Sequence, residues 1–116
     1  MKTLTVKLAD YLEVDGWDIA ENLTDDLEWW ADEIWQLKSR WSPVGAMAFV
    51  SFLVDPQWHG NRRKGEGIWA VGCSAEFPRD RTEATSGDTL SLKASKEEIE
   101  EFVEVIASFR RLHGNV

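Results

Sequence analysis

The chain begins with a stretch in which apolar and polar residues alternate. The apolar residues of one parity are Leu4, Val6, Leu8, Leu12 and Val14. Alternation with a period of two is typical of a strand with one buried face. The pattern predicts a first strand at about residues 3–8, which continues past a bulge near Ala9 and Asp10 toward Val14.

A different pattern, with steps of three and four residues, covers residues 23–41. Its apolar positions are Leu23, Leu27, Trp30, Ala31, Ile34, Leu37 and Trp41. This spacing predicts an amphipathic helix with one apolar face. The helix is expected to end at Ser42-Pro43, because proline disfavours helical geometry in the residue before it.

Three apolar segments and a capped helix complete the chain. Residues 45–54, 67–77 and 88–94 predict strands, the first of them covered on both faces. Ser95 and Glu98 form an S-x-x-E capping box and predict a helix over about residues 96–112. The predicted fold class is α+β: a two-layer sandwich of two helices on a mostly antiparallel four-stranded sheet, in the order β-α-β-β-β-α.

Length and charge limit the class of protein. The 116 residues predict a single α+β domain over residues 1–116. The formal net charge of -8 disfavours nucleic acid and anionic membranes as partners. The beginning of the sequence lacks the pattern of a secretory signal, and no apolar run approaches the roughly 20 residues that span a membrane. We therefore expect a soluble, cytoplasmic protein.

Few residues are available for catalysis or metal binding. One cysteine and two histidines cannot supply the ligands of a structural zinc site. Cys73 lies in the middle of a predicted strand, where a free cysteine is usually buried and unreactive. The sequence thus predicts no catalytic residues, no metal site and no cofactor, and a non-enzymatic role is favoured.

The first candidate site uses two of the seven tryptophans. On the predicted first helix, Trp29 and Trp35 fall outside the apolar stripe, and Trp29 lies among acidic residues. A tryptophan with an acidic rim is typical of a protein-binding surface. The predicted binding residues are Trp29, Trp35, Asp25, Asp32 and Glu33. The corresponding hypothesis is an interaction module, of an inhibitor or immunity type, that binds a basic protein through this helix.

The structural alternative for Trp29 and Trp35 is that a neighbouring loop of the same chain covers them.

A second candidate site is the loop at residues 55–66, which carries arginine for anions and tryptophan for stacking on a ring. Its candidate residues are Trp58, His59, Arg62, Arg63 and Lys64. This loop suggests a small-molecule or anion-binding domain, or an enzyme with His59 as general base; a solubilising hairpin tip is the simpler interpretation.

The third hypothesis is self-association. In a homo-oligomer the basic loop of one subunit would meet the acidic helix of another and bury the tryptophans between them. This arrangement is compatible with either of the other two functions.

Overall fold

The computed structural model describes residues 4–25, 27–40, 47–58 and 67–109. Over these ranges the chain has an α+β fold with three α-helices and one five-stranded antiparallel sheet. The helices are α1 (Leu4–Val14), α2 (Arg81–Ala84) and α3 (Lys96–Ser108). The strands are β1 (Trp17–Leu23), β2 (Ala31–Ser39), β3 (Met47–Val54), β4 (Ile68–Ser74) and β5 (Asp88–Ser91).

The sheet is a meander in which each strand pairs with the next along the chain. Its order is β1-β2-β3-β4-β5, so β1 and β5 form the two edges. Every pairing is antiparallel. The β1–β2 and β3–β4 connections therefore lie at the same end of the sheet, which we call the loop end.

Helices α1 and α3 cover one face of the sheet, the helix face. Their buried side chains meet those of all five strands in the larger core. The members of this core include Leu8, Leu12, Trp17, Trp35, Leu37, Val50, Phe52, Val71, Cys73, Leu90, Ile99, Phe102 and Ile106. The opposite face, the α2 face, has a smaller core of Trp30, Ala31, Ile34, Phe49, Leu53, Ala70 and Ala84.

In the second half of the chain the predicted strands and the capped helix are confirmed, whereas the short helix α2 was not predicted, so the described fold has three helices and not two. Strands β3, β4 and β5 lie within the three predicted segments, and every residue of β3 from Ala48 to Val54 is buried. The capping box of α3 is confirmed, since Glu98 N donates to Ser95 Oγ at 3.2 Å and Ser95 N donates to Glu98 Oε1 at 3.1 Å. The continuous burial of β3 shows that this strand is covered on both faces, as its apolar pattern indicates.

The predicted first strand is wrong: residues 4–14 form helix α1. Leu4, Leu8 and Leu12 are four residues apart, a spacing that fits one face of a strand and one face of a helix equally well. In the structure Leu8 and Leu12 are buried, whereas Val14, at the same parity, is exposed. Burial at every fourth residue, and not at every second, identifies the helix.

The predicted helix at residues 23–41 is also wrong, because this segment contains the end of β1, a loop and β2. Strand β2 buries residues on both faces, with Ile34 in the smaller core and Leu37 in the larger one. A bulge between Ala31 and Glu33 shifts the alternation, so that Ala31 and Ile34, three residues apart, share a face. The bulge therefore imitates helical spacing, and the sheet has five strands and not four.

Gly72 lets α2 lie directly on the sheet. A Cβ atom at this position would lie inside van der Waals contact with the carbonyl oxygen of Ala84, and 3.1 Å from Thr85 Cγ2. Ser51, its cross-strand neighbour on β3, is fully buried, and its hydroxyl has no hydrogen-bond partner. The contact between α2 and the sheet thus requires glycine at residue 72.

We expect Gly72→Ala to lower the free energy of unfolding by about 1–3 kcal/mol, because the added methyl group forces α2 away from the sheet. Urea denaturation measures this change. Ser51→Ala is the matched control: it removes a hydroxyl without a partner, so the free energy of unfolding should stay equal or rise. Equal stability of Gly72→Ala and the parent protein would contradict the close approach of α2.

Candidate functional site

Trp29 lies in the β1–β2 loop at the loop end, and 42% of its surface is exposed. Residues 15–37 contain eight acidic residues and no basic one. Among those that the structure describes, four are exposed and follow β1 and its loop toward Trp29; we call this group the acidic edge. It consists of Asp18, Glu21, Asp25 and Glu28.

Cations of the chain lie near one end of the acidic edge, the end at Asp18. At the start of β1, Asp18 Oδ1 lies 3.4 Å from Arg40 Nε and opposite Lys38 of β2. Glu21 lies opposite the neutral Gln36. Within the described ranges, Glu21, Asp25 and Glu28 form no ion pair. The uncompensated carboxylates are therefore the ones nearer Trp29.

Trp35, the other tryptophan of the predicted site, does not lie on this surface, because it is part of the larger core. Only 3% of its surface is exposed, and its ring packs edge-to-face on Phe52 with centroids 4.9 Å apart. Its Nε1 donates to Glu33 Oε2 at 2.7 Å. The position on a helical wheel misplaced Trp35, because in a strand its side chain follows the alternation toward the helix face.

The remaining predicted residues are divided between surface and core. Asp32 is 2% exposed and Glu33 is half-buried, whereas Asp25 is exposed. Asp32 and Glu33 therefore contribute little surface that a partner could contact. Of the five predicted residues, the surface keeps Trp29 and Asp25.

The second predicted site lies mostly outside the described residues. Trp58 ends the 3₁₀ turn Pro56–Trp58, and His59, Arg62, Arg63 and Lys64 are not among the residues described. The base of the loop is closed by Asp55 N, which donates to Gly67 O at 2.7 Å. Val54 N donates to Trp30 O at 2.8 Å. The loop therefore begins and ends beside the β1–β2 loop, so the fold brings the two predicted regions to one end.

A further aromatic residue, which no pattern in the sequence indicates as exposed, lies at the loop end. Trp69 is 48% exposed, although it lies near the start of β4. The register joins Leu53 to Ala70 and Val54 to Ile68, which leaves Trp69 as the extra residue of a bulge. Trp29 lies just before β2 and Trp69 lies on β4. These strands are two apart in the sheet, so their backbones are separated by about 10 Å. No sequence pattern marks this bulge.

Two cavities lie away from the loop end. One, of about 430 Å³, opens between α1 and α3 and is lined by Lys7, Asp10, Tyr11, Val14, Lys96 and Ile99. The other, of about 730 Å³, follows the end of β4. There Arg79 Nη2 donates to Glu83 Oε2 at 2.8 Å, and this hydrogen bond lowers the pKa of Glu83. The described residues that line the two cavities include neither Trp29 nor any residue of the acidic edge.

The buried thiol of Cys73 is held in its protonated form. Burial raises its pKa to about 12, and the nearby charge of Asp88 acts in the same direction. A protonated thiol inside a core is a poor nucleophile and a poor metal ligand. Among the described residues, no three histidine, cysteine, aspartate or glutamate side chains converge in a group that could hold a metal ion.

Comparisons with protein-family models, with curated proteins and with solved structures found no match to this chain. In the part of the chain that the structure describes, none of the helices has the length and apolar character needed to cross a membrane.

We expect Trp35→Ala and Trp29→Ala to differ strongly in their effect on folding. Truncation of the buried Trp35 should lower the free energy of unfolding by about 3–5 kcal/mol, because it leaves a cavity beside Phe52. Truncation of Trp29 should change it by less than about 1 kcal/mol. Chemical denaturation of both variants measures this difference, and equal losses would show that Trp29 belongs to the core.

Cys73 should react with a thiol reagent only when the protein unfolds. The rise in pKa to about 12 lowers the thiolate fraction near pH 8 by roughly a thousandfold. Labelling of the native protein should therefore be slower than labelling in denaturant by at least that factor. Ser91→Cys, on the exposed edge strand β5, is the reactive control. Rapid labelling of Cys73 in the folded parent protein would contradict its burial.

Proposed function

We propose that this chain is a non-enzymatic interaction module that binds a basic protein surface through the acidic edge, with Trp29 as the anchor. The observation that carries the proposal is the half-exposed Trp29 beside uncompensated carboxylates. An inhibitor or immunity-type protein fits this description. The binding element is the β1 strand and its loop, in place of the predicted helix.

Trp29 has the properties of a residue that contributes strongly to binding. A large aromatic side chain gains apolar contact when a partner covers it, and tryptophan is enriched among the residues that dominate binding energy. Its position in a loop next to β2 gives it a rigid support, because Ala31 N donates to Glu28 O at 3.1 Å. Trp69, at the same end of the sheet, supports an extension of this aromatic surface.

The charge of the acidic edge supports a basic partner. Carboxylates that have no ion pair among the described residues attract arginine and lysine of a partner and increase the rate of association. Exposed charges of this kind are screened by salt, with a Debye length of about 8 Å at physiological ionic strength. Binding through the acidic edge should therefore weaken as salt is added.

The cytoplasm is the compartment we propose for this function. The chain carries one cysteine, and its thiol is buried and free. A domain that folds without disulfide bonds suits a reducing compartment.

The proposal predicts that Trp29→Ala removes partner binding and leaves the fold intact. Tagged parent protein and variant are used for affinity capture from a lysate of the native host at low salt, after circular dichroism confirms that both are folded. The parent protein should retain a basic protein that is released as salt rises. Trp29→Ala should retain at least tenfold less of it, the loss that about 1.4 kcal/mol of binding energy produces.

The matched control is Phe77→Ala, which removes a similarly exposed aromatic side chain at the opposite end of the sheet. This variant should retain the basic protein as well as the parent does. Equal capture by all three proteins, or capture by none of them, would contradict the proposed function.

A further inference from the structure

We infer that the partner is bound as an extended basic segment that adds a sixth strand to the sheet along β1. This inference rests on the proposed function and specifies how the partner is recognised. It depends on the backbone of the edge strand, a feature that is independent of Trp29. Strand addition of this kind gains affinity from main-chain hydrogen bonds and specificity from alternate side chains.

The backbone of β1 has groups that point away from β2. Arg40 N donates to Gly16 O at 2.8 Å, which makes this residue pair a hydrogen-bonded one. In an antiparallel ladder, hydrogen-bonded and non-hydrogen-bonded pairs alternate. Two residues further along, the Asp18–Lys38 pair is therefore hydrogen-bonded, and the next pair, Ile19–Leu37, is not. The N–H and C=O groups of Ile19 consequently face outward.

The outward edge of β1 is accessible. Five consecutive residues, from Asp18 to Asn22, are exposed, and β1 is an edge of the sheet formed by the described strands. Ile19 is 40% exposed although it lies on the helix face, opposite Leu37. An added strand would cover this side chain and pair with the backbone groups beside it. The other edge strand, β5, offers four residues, against seven in β1.

The side chains of β1 define the chemistry of the added strand. Asp18 and Glu21 lie on the α2 face, since they pair with Lys38 and Gln36, whereas Ile19 lies on the helix face. A matching strand would place lysine or arginine beside Glu21, the carboxylate of β1 that has no ion pair among the described residues, and an apolar residue beside Ile19. The expected segment is therefore extended, with alternating basic and apolar residues.

A second β1 strand does not meet that requirement. Edge-to-edge pairing of two β1 strands would bring the carboxylates of both copies onto neighbouring strands, where like charges are destabilising. The occupant is therefore a basic partner segment and not another β1.

The test uses the isotope-labelled full chain and two synthetic eight-residue peptides, one of alternating lysine and valine and one of alternating lysine and proline. Both carry the same charge, but proline prevents the second from forming a strand ladder. Amide hydrogen exchange by NMR is measured with each peptide at about ten times its dissociation constant. The lysine–valine peptide should slow exchange of the Ile19 amide by roughly tenfold, and the lysine–proline peptide should leave it unchanged.

Two variants test the same contact from the side of the protein. Ile19→Pro removes the outward N–H without removing a donor of the β1–β2 ladder, and it should weaken binding of the lysine–valine peptide at least tenfold. Ile19→Val keeps the N–H and the branched side chain, and it should bind as the parent does. If Ile19→Pro fails to fold, the comparison of the two peptides on the parent protein remains decisive.

Three results would overturn strand addition. They are equal binding of both peptides without protection of Ile19, protection of β5 in place of β1, and no binding of the lysine–valine peptide. None of these contradicts the proposed function, which fails separately if Trp29→Ala leaves capture unchanged. If Trp29→Ala leaves capture unchanged but the lysine–valine peptide protects the Ile19 amide, the β1 site stands and Trp29 is not the anchor.

Discussion

Burial of the central strand β3 on both faces is the constraint on which the rest of the structure depends. All residues from Ala48 to Val54 are buried, so this strand needs a layer on each side. Helices α1 and α3 supply one layer, and α2 with Trp30 supplies part of the other. Apolar burial is the main favourable term in folding, and it is concentrated here. The middle of the edge strand β1, from Asp18 to Asn22, can therefore remain exposed, while Trp17 at its start is part of the core.

The same constraint explains which elements the sequence predicted. The apolar run of β3 and the capping box of Ser95 and Glu98 each have one structural interpretation, and both were predicted correctly. The spacing of Leu4, Leu8 and Leu12 has two structural interpretations, a strand and a helix, and only packing on the sheet selects the helix. Residues 31–33 contain a bulge, which changes the phase of the alternation without any local signal in the sequence.

The candidate site could be predicted only in composition. The excess of acidic residues around Trp29 is visible in the sequence. It holds although the segment forms two strands and a loop and not the predicted helix. The face of the strand places Trp35 inside, whereas Trp69 is the extra residue of a bulge and is exposed. The second predicted site begins and ends beside the first, and this proximity depends on strand order, which length and periodicity do not determine.

Edge strands expose hydrogen-bonding groups that invite aggregation, and proteins protect them with charges and bulges. Strand β1 has both, in the carboxylates of Asp18 and Glu21 and in the bulge between Ile19 and Glu21. The same carboxylates repel another copy and attract a basic segment, so one feature disfavours the wrong partner and favours the right one. The regular ladder before the bulge leaves Ile19 with its backbone groups outward. Protection against self-association is thus compatible with an edge that receives a strand of opposite charge.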